Sequence, residues 1–198
     1  MPPLRQYTKT IILNAAFEQL RKDGMESLSA RSIAKQLGSS TQPVYSAYKT
    51  MDDLKQELLD KAREFSITFL IQEGNTNNAF LNIGIQYLKF MHHERQLFKL
   101  LYLDNSSSYG SAFTPLPAKL IEQMRKTDYL SRLDEKSLSR LLFNMQIYTH
   151  GLATMIFSGL MQYDEDHVCK LLSNIGKILI KHELSETEQL SNKNHTNK

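Results

Sequence analysis

Residues 28–48 read LSARSIAKQLGSSTQPVYSAY, and the spacing within them decides the fold. Ser29 stands where it can cap a short helix carrying Ile33, Ala34 and Leu37 on one face. Leu28 before the cap and Ile33 after it occupy hydrophobic-staple positions. Gly38 ends that helix, because glycine alone enters a left-handed cap at little steric cost. A second short helix follows Ser39 and Ser40 and carries Val44, Tyr45 and Tyr48. Pro43 fits only its first turn, where the missing N–H has no helical partner anyway. Proline also biases Gln42 away from helical geometry, so the start lies between Ser40 and Gln42. Short helix, glycine turn and short helix together make a helix-turn-helix.

Upstream, Leu13, Ala16, Phe17 and Leu20 form the apolar stripe of a helix that stops at Gly24. Downstream, Thr50 to Asp53 read as a capping box with two acids in the positive first turn. The helix opened there runs to about Glu73 and connects head to body. Asn75 to Asn78 punctuate the chain, and Phe80, Ile83, Gly84, Tyr87, Leu88 and Met91 form the next stripe. A shorter helix is expected around Leu97 to Leu103, then a polar loop from Asp104 to Ser111. Pro115 and Pro117 lead into a helix with Leu120, Ile121 and Met124.

From about Asp134 to Met161 the pattern changes. One stripe runs Leu138, Leu142, Met145, Thr149, Leu152, Ile156, Leu160; a second runs Phe143, Ile147, His150, Thr154, Phe157, Met161. A helix apolar on two faces needs cover on both. The last helix, Asp164 to about His182, adds Val168, Leu171, Leu172, Ile175 and Leu179. Pairing with a second copy, as a four-helix interface, supplies that cover economically. A deeply buried hairpin in a monomer is the other solution. The expected interface is Leu152, Ile156, Leu160, Leu171, Leu172, Ile175 and Leu179. The fold class is therefore all-α: a three-helix helix-turn-helix head (1–50), a larger helical dimerisation body (51–185), and a polar, disordered tail (186–198).

Composition narrows the function. The 198 residues are 41% hydrophobic and 23% charged, enough to bury a core. No apolar run nears the ~18 residues of a membrane span, and the N-terminus lacks a secretory core. A single cysteine, Cys169, excludes an internal disulfide. A cytoplasmic protein without metal or cofactor is the expectation. No nucleophile elbow, phosphate loop or zinc-protease motif is present, so the chain does not read as an enzyme. Formal charge is +3 overall, yet residues 1–50 alone carry seven Lys/Arg against three acids. A basic head on a neutral body points to a polyanion. In the helix-turn-helix the second helix offers Ser39, Ser40, Thr41 and Gln42 at its N-terminus. Hydroxyls and an amide can read base edges there, and Gln42 can pair bidentately with adenine.

These residues resemble the DNA-binding head of TetR-family transcriptional regulators. The likeness runs through Ile12, Leu13, Ala15, Ala16, Phe17, Leu20 and Gly24, then Leu28, Ser29, Ile33 and Ala34. It continues through Leu37, Gly38, Ser40, Val44, Tyr45 and Tyr48 to Asp53 and Leu54, about 50 residues without a gap. It implies that Ser40, Thr41 and Gln42 read bases, that Tyr45 sets its hydroxyl on a phosphate, and that Tyr48 packs in the core. Lys49 stands in for the lysine that the family often places later, where this chain has Thr50 and Met51; Ala47 replaces a frequent His. With Arg31, Ser39 and Pro43 these complete the expected operator-DNA surface. Tyr148 to Ala153 also resemble an aromatic-x-His-Gly-Leu-Ala segment of some TetR-like C-terminal domains.

The resemblance further implies a homodimer and a small-molecule inducer held in the body, with Tyr87, Met91, Phe98, Tyr102, Phe143, Ile147 and His150 as candidate lining. His150 reads either as a ligand or pH-sensing group or as a hydrogen-bonded core histidine. His92, His93 and Glu94 read as surface, since adjacent helical residues point ~100° apart. The expected function is a repressor released by ligand. The rival reading is a helical module that binds a small molecule or a protein, whose basic head does not read sequence.

Overall fold

The computed structural model describes residues 7–74, 76–104 and 118–196, with side chains to Glu186. The polar loop and Pro115–Pro117 expectations lie outside the described residues. Among those residues there are nine α-helices and no strand: α1 (Lys9–Asp23), α2 (Ala30–Leu37), α3 (Gln42–Ala47), α4 (Met51–Leu70), α5 (Ala79–His93), α6 (Arg95–Phe98), α7 (Ala118–Met124), α8 (Glu135–Phe157) and α9 (Glu165–Thr196). A 3₁₀ turn (Met25–Ser27) follows α1, and a π-helical turn (Lys99–Leu103) follows α6.

The chain packs as two compact units. The first takes the described residues of Met1–Ser66 and Glu94–Ala112, the second those of Ile67–His93 and Phe113–Lys198. The first unit thus holds more than residues 1–50, since most of α4 and the 94–104 segment pack within it.

Local chemistry sets the helix ends of the first unit. Thr8 Oγ1 accepts from the Ile11 N–H at 3.3 Å to open α1. Ser29 Oγ accepts from the Ser32 N–H at 3.1 Å while the Ser29 N–H donates to Ser32 Oγ at 3.0 Å. That reciprocal box satisfies two of the donors a helix start leaves orphaned. Gly38 sits at φ +63°, a conformation a side chain would strain, and its N–H closes on Lys35 O at 3.2 Å. The Thr50–Asp53 box forms as expected: the Asp53 N–H donates to Thr50 Oγ1 at 3.1 Å, the Thr50 N–H to Asp53 Oδ2 at 3.0 Å. Ile12, Ala16, Leu20, Ile33, Val44, Leu54 and Leu58 are buried together as the core. Leu13 is half-buried, and Ile12 takes the inward place expected for it. Phe17 meets Phe65 edge-on at 5.6 Å between ring centroids, an arrangement worth ~1 kcal/mol beyond its area.

In the second unit α5 is the centre. Phe80, Ile83, Ile85, Tyr87, Leu88, Phe90 and Met91 are buried on every side of it, with α7, α8 and α9 packed around. Gly84 allows α9 to come close: a Cβ there would stand 3.3 Å from Leu172 Cδ1. Buried Asn82 on α5 is paired. Thr76 Oγ1 donates to Asn82 Oδ1 at 2.7 Å, and Asn82 Nδ2 donates to Thr76 O at 2.7 Å.

Two helix ends differ from expectation. α8 stops at Phe157 rather than Met161, because Gly159 takes φ +81° and its N–H turns back to Ile156 O at 3.1 Å. α9 continues to Thr196, through the segment whose composition suggested a disordered tail. Nothing after Gly176 breaks a helix: Lys, Leu, Glu and Gln propagate well, and neither glycine nor proline intervenes.

Candidate nucleic-acid interface and the helical body

The first unit presents α3 by its N-terminus. Val44 is buried and anchors the helix, which leaves the opposite face outward. Gln42 is the first helical residue, which settles the start that proline left open. Thr41 precedes it without a side-chain cap bond, so its hydroxyl is not consumed in closing the helix. Ser40 and Gln42 are exposed; Ser39, Thr41 and Pro43 are half-buried around them. Ser39 Oγ donates to Ser40 O at 3.0 Å, which leaves its lone pairs to accept.

Tyr45 is 56% exposed, a wasteful position for a phenol ring unless its hydroxyl is used outward. Tyr48, three residues on, is buried at 4% exposure. Burial first, then the Glu57 carboxylate, keep its phenol protonated far above the ordinary range. Lys9 covers it, with its ammonium 4.9 Å from the ring centroid and 2.6 Å from Glu57. The two tyrosines therefore differ in burial and surroundings. Arg31 on α2 and Lys49 after α3 are exposed, as are Lys35 and Ser46, which the sequence reading did not single out.

The candidate ligand residues are dispersed. Phe98 and Tyr102 belong to the first unit, Tyr87, Met91 and His150 to the second. Tyr102 bonds to Ser66 (Oη···Oγ 2.7 Å), and burial pushes its phenol up to about 12. Tyr87 is buried, and its hydroxyl lies 2.9 Å from His150 Nδ1. The half-buried His150 ring is thus held by a hydrogen bond, and burial lowers its pKa.

Phe143 and Ile147 are a correction. Both were expected in a pocket, yet both are exposed on the outer face of α8, Ile147 at 59%. The interface expectation needs the opposite correction. Leu152, Ile156 and Leu172 are buried within their own chain and present nothing to a second copy. The two stripes of α8 lie on two faces, and the chain itself covers Leu152 and Ile156 of one while Phe143 and Ile147 of the other stay exposed. Helical periodicity shows that two faces exist; only the placement of α5 shows which one the chain covers itself. Leu160 is 81% exposed, while Leu171, Ile175 and Leu179 are half-buried. Met155 on α8 and Ile178 on α9, which the sequence reading missed, are exposed as well. The signal was there: 143, 147, 151 and 155 repeat every four residues along one helical strip.

Among the described residues no group of three His, Cys, Asp or Glu could hold a metal, and no helix is long and apolar enough to cross a membrane. Free Cys169 is half-buried.

Fold and site together define a class: an all-α protein with a helix-turn-helix head on a larger helical body. No family model matches the chain. An uncharacterised HTH-type transcriptional regulator of Haemophilus influenzae is 22% identical over 161 residues, 78% of this chain and 76% of that one. A protein of unknown function from Rhodococcus sp. RHA1 superposes with a TM-score of 0.66 at 16% identity, over 92% of this chain and 98% of that chain. A TetR-like transcriptional regulator from the same organism gives 0.59 at 16% identity, over 92% and 98%. A TetR-family transcriptional regulator from Streptomyces coelicolor gives 0.52 at 16% identity, over 91% and 96%. These likenesses show the fold of this chain to be the TetR-like all-α fold.

Proposed function

We propose that the protein is a sequence-reading, DNA-binding transcriptional regulator, that it works as a homodimer, and that it is a repressor released by a small molecule. The observation that carries the reading is the outward N-terminus of α3. Ser40 and Gln42 are exposed there, Tyr45 stands out one turn on, and Val44 is buried beneath them. Short polar side chains at a helix start fit a major groove; free N–H groups and a phenol hydroxyl fit phosphates. Arg31 and Lys49 add the charge that makes such binding salt-dependent.

Two heads are needed for a palindrome, with half-sites about one turn (~34–36 Å) apart. The exposed apolar surface of Phe143, Ile147, Met155 and Ile178 supports the pairing, because an apolar strip of this kind gains from removal from water. A ligand releases DNA only if it favours a dimer geometry whose heads miss that spacing. Cytoplasmic placement follows from the DNA role.

Fluorescence anisotropy of a duplex from upstream of the protein's own gene, against scrambled duplex at two salt concentrations, tests the reading. Selective binding is expected. Equal affinity for both duplexes, and for every duplex recovered in a genome-wide selection, reduces the head to a basic surface.

A further inference from the structure

The second unit contains a groove of about 600 Å³ between α5, α8 and α9, with Tyr129 from the segment between α7 and α8 at its edge. Its lining is largely apolar: Phe80, Leu81, Met145, Leu172, Ile180 and Leu184. Gly176 keeps it open at the base, where a Cβ would come within 3.1 Å of Met145 Cε and 3.8 Å of Phe80 Cε1. Lys177 and Lys181 stand exposed at the rim, one turn apart on α9, and among the described residues no acidic side chain lines the groove. Like charges one turn apart repel. Among the described residues neither ammonium is in an ion pair, whereas Lys9 and Lys89 both are. The Tyr129 hydroxyl accepts from Asn78 Nδ2 at 2.8 Å, which leaves its own proton to donate. This flank of α9 differs from the one bearing Leu171, Ile175 and Ile178, since 176, 180 and 184 follow 172 at four-residue steps.

We propose that this groove binds an amphipathic organic anion, its apolar body against Phe80, Leu172 and Ile180 and its carboxylate or phosphate between Lys177 and Lys181. An apolar cavity with a few convergent polar groups is the usual form of a small-molecule site. The two cations select the sign of the head group. The groove stands on the second unit alone; that its occupant acts as the effector rests on the regulator reading above.

The test is calorimetric titration of the full chain with decanoate, decanol and decyltrimethylammonium. Decanoate binds tightest. Lys177→Glu with Lys181→Glu weakens decanoate by roughly tenfold and leaves decanol unchanged. Ser173→Trp fills the groove, abolishes binding of both, and adds a fluorescence signal to a chain that has no tryptophan. Circular dichroism checks that each variant is folded. Equal affinity for the ammonium compound, an indifferent charge-reversal variant, binding that survives Ser173→Trp, or no binding by the native chain each overturns the proposal. Operator anisotropy without ligand is read separately. A protein that binds decanoate but no operator overturns the regulator reading and leaves the groove standing.

Discussion

Arg21 on α1 grips Glu94, the residue that precedes α6, through two hydrogen bonds, with Nε 2.9 Å from Oε2. Glu94 is buried and Arg21 half-buried. The pairing raises the already high Arg21 pKa, chiefly through the hydrogen bond to Glu94. It joins residues 73 apart in sequence, so it closes the first unit across a long loop. Arg21→Ala leaves a buried carboxylate without its partner. A loss of about 2 kcal/mol is expected in urea unfolding, below the figure for fully buried pairs because Arg21 is partly solvated. Glu94→Gln, which keeps the shape and removes the charge, costs less. Equal stability of Arg21→Ala and the native chain makes the pair incidental.

Tyr45→Phe removes one exposed hydroxyl and nothing from the core. Operator affinity falls by about 1 kcal/mol with the melting temperature unchanged. Tyr48→Ala behaves in the opposite way, since it empties a buried ring and costs ~3–5 kcal/mol of stability. Operator titrations and melting curves on the pair separate contact from scaffold; unaltered DNA affinity in Tyr45→Phe removes the phosphate role.

Gln42→Ala relaxes base preference at one position of each half-site, by ~1–3 kcal/mol. A panel of single-base operator variants reads this. A uniform loss over the whole panel makes Gln42 a positioning residue instead.

Ile147→Glu places a charge on the exposed strip of α8. Light scattering coupled to size exclusion is expected to show monomers that melt as the native chain does. Leu172→Ala, fully buried beside Gly84, costs ~2–5 kcal/mol of stability without choosing between monomer and dimer. A native chain that is monomeric at all concentrations removes the dimer reading.

His150 carries a pH dependence with a defined sign. Burial lowers its folded pKa below the unfolded value of ~6.5. Between those two values the unfolded chain binds more protons, so stability falls as pH drops through that window and is level above it. His150→Gln flattens this part of the profile. Urea midpoints from neutral to mildly acid pH provide the comparison, and an unchanged slope in the variant assigns it to other groups.

The helix-turn-helix was legible because its information is local. Ser29, Gly38, Pro43 and the Thr50–Asp53 pair act within a few residues of themselves, through caps and backbone geometry that sequence spacing states directly. The resemblance implied a buried Tyr48, and it is buried, while Tyr45 three residues before it is exposed. The all-α class followed from periodicity, and the extension of α9 was missed only because polar composition was weighed above the absence of any helix breaker.

The body was legible only as far as its stripes. Two apolar faces on α8 looked equivalent in the sequence, because a 3.6-residue period carries phase but no absolute direction. Which face turns inward depends on where α5 and α9 lie, and that placement buries Leu152 and Ile156 while leaving Phe143 and Ile147 in water. The Arg21–Glu94 pair, the Tyr87–His150 bond and the groove beneath Lys177 likewise join residues far apart in the chain. Sequence by itself determined the elements and the helix-turn-helix; the packing of α5 against α8 and α9 decided the rest, since a partner distant in sequence leaves no periodic trace in it.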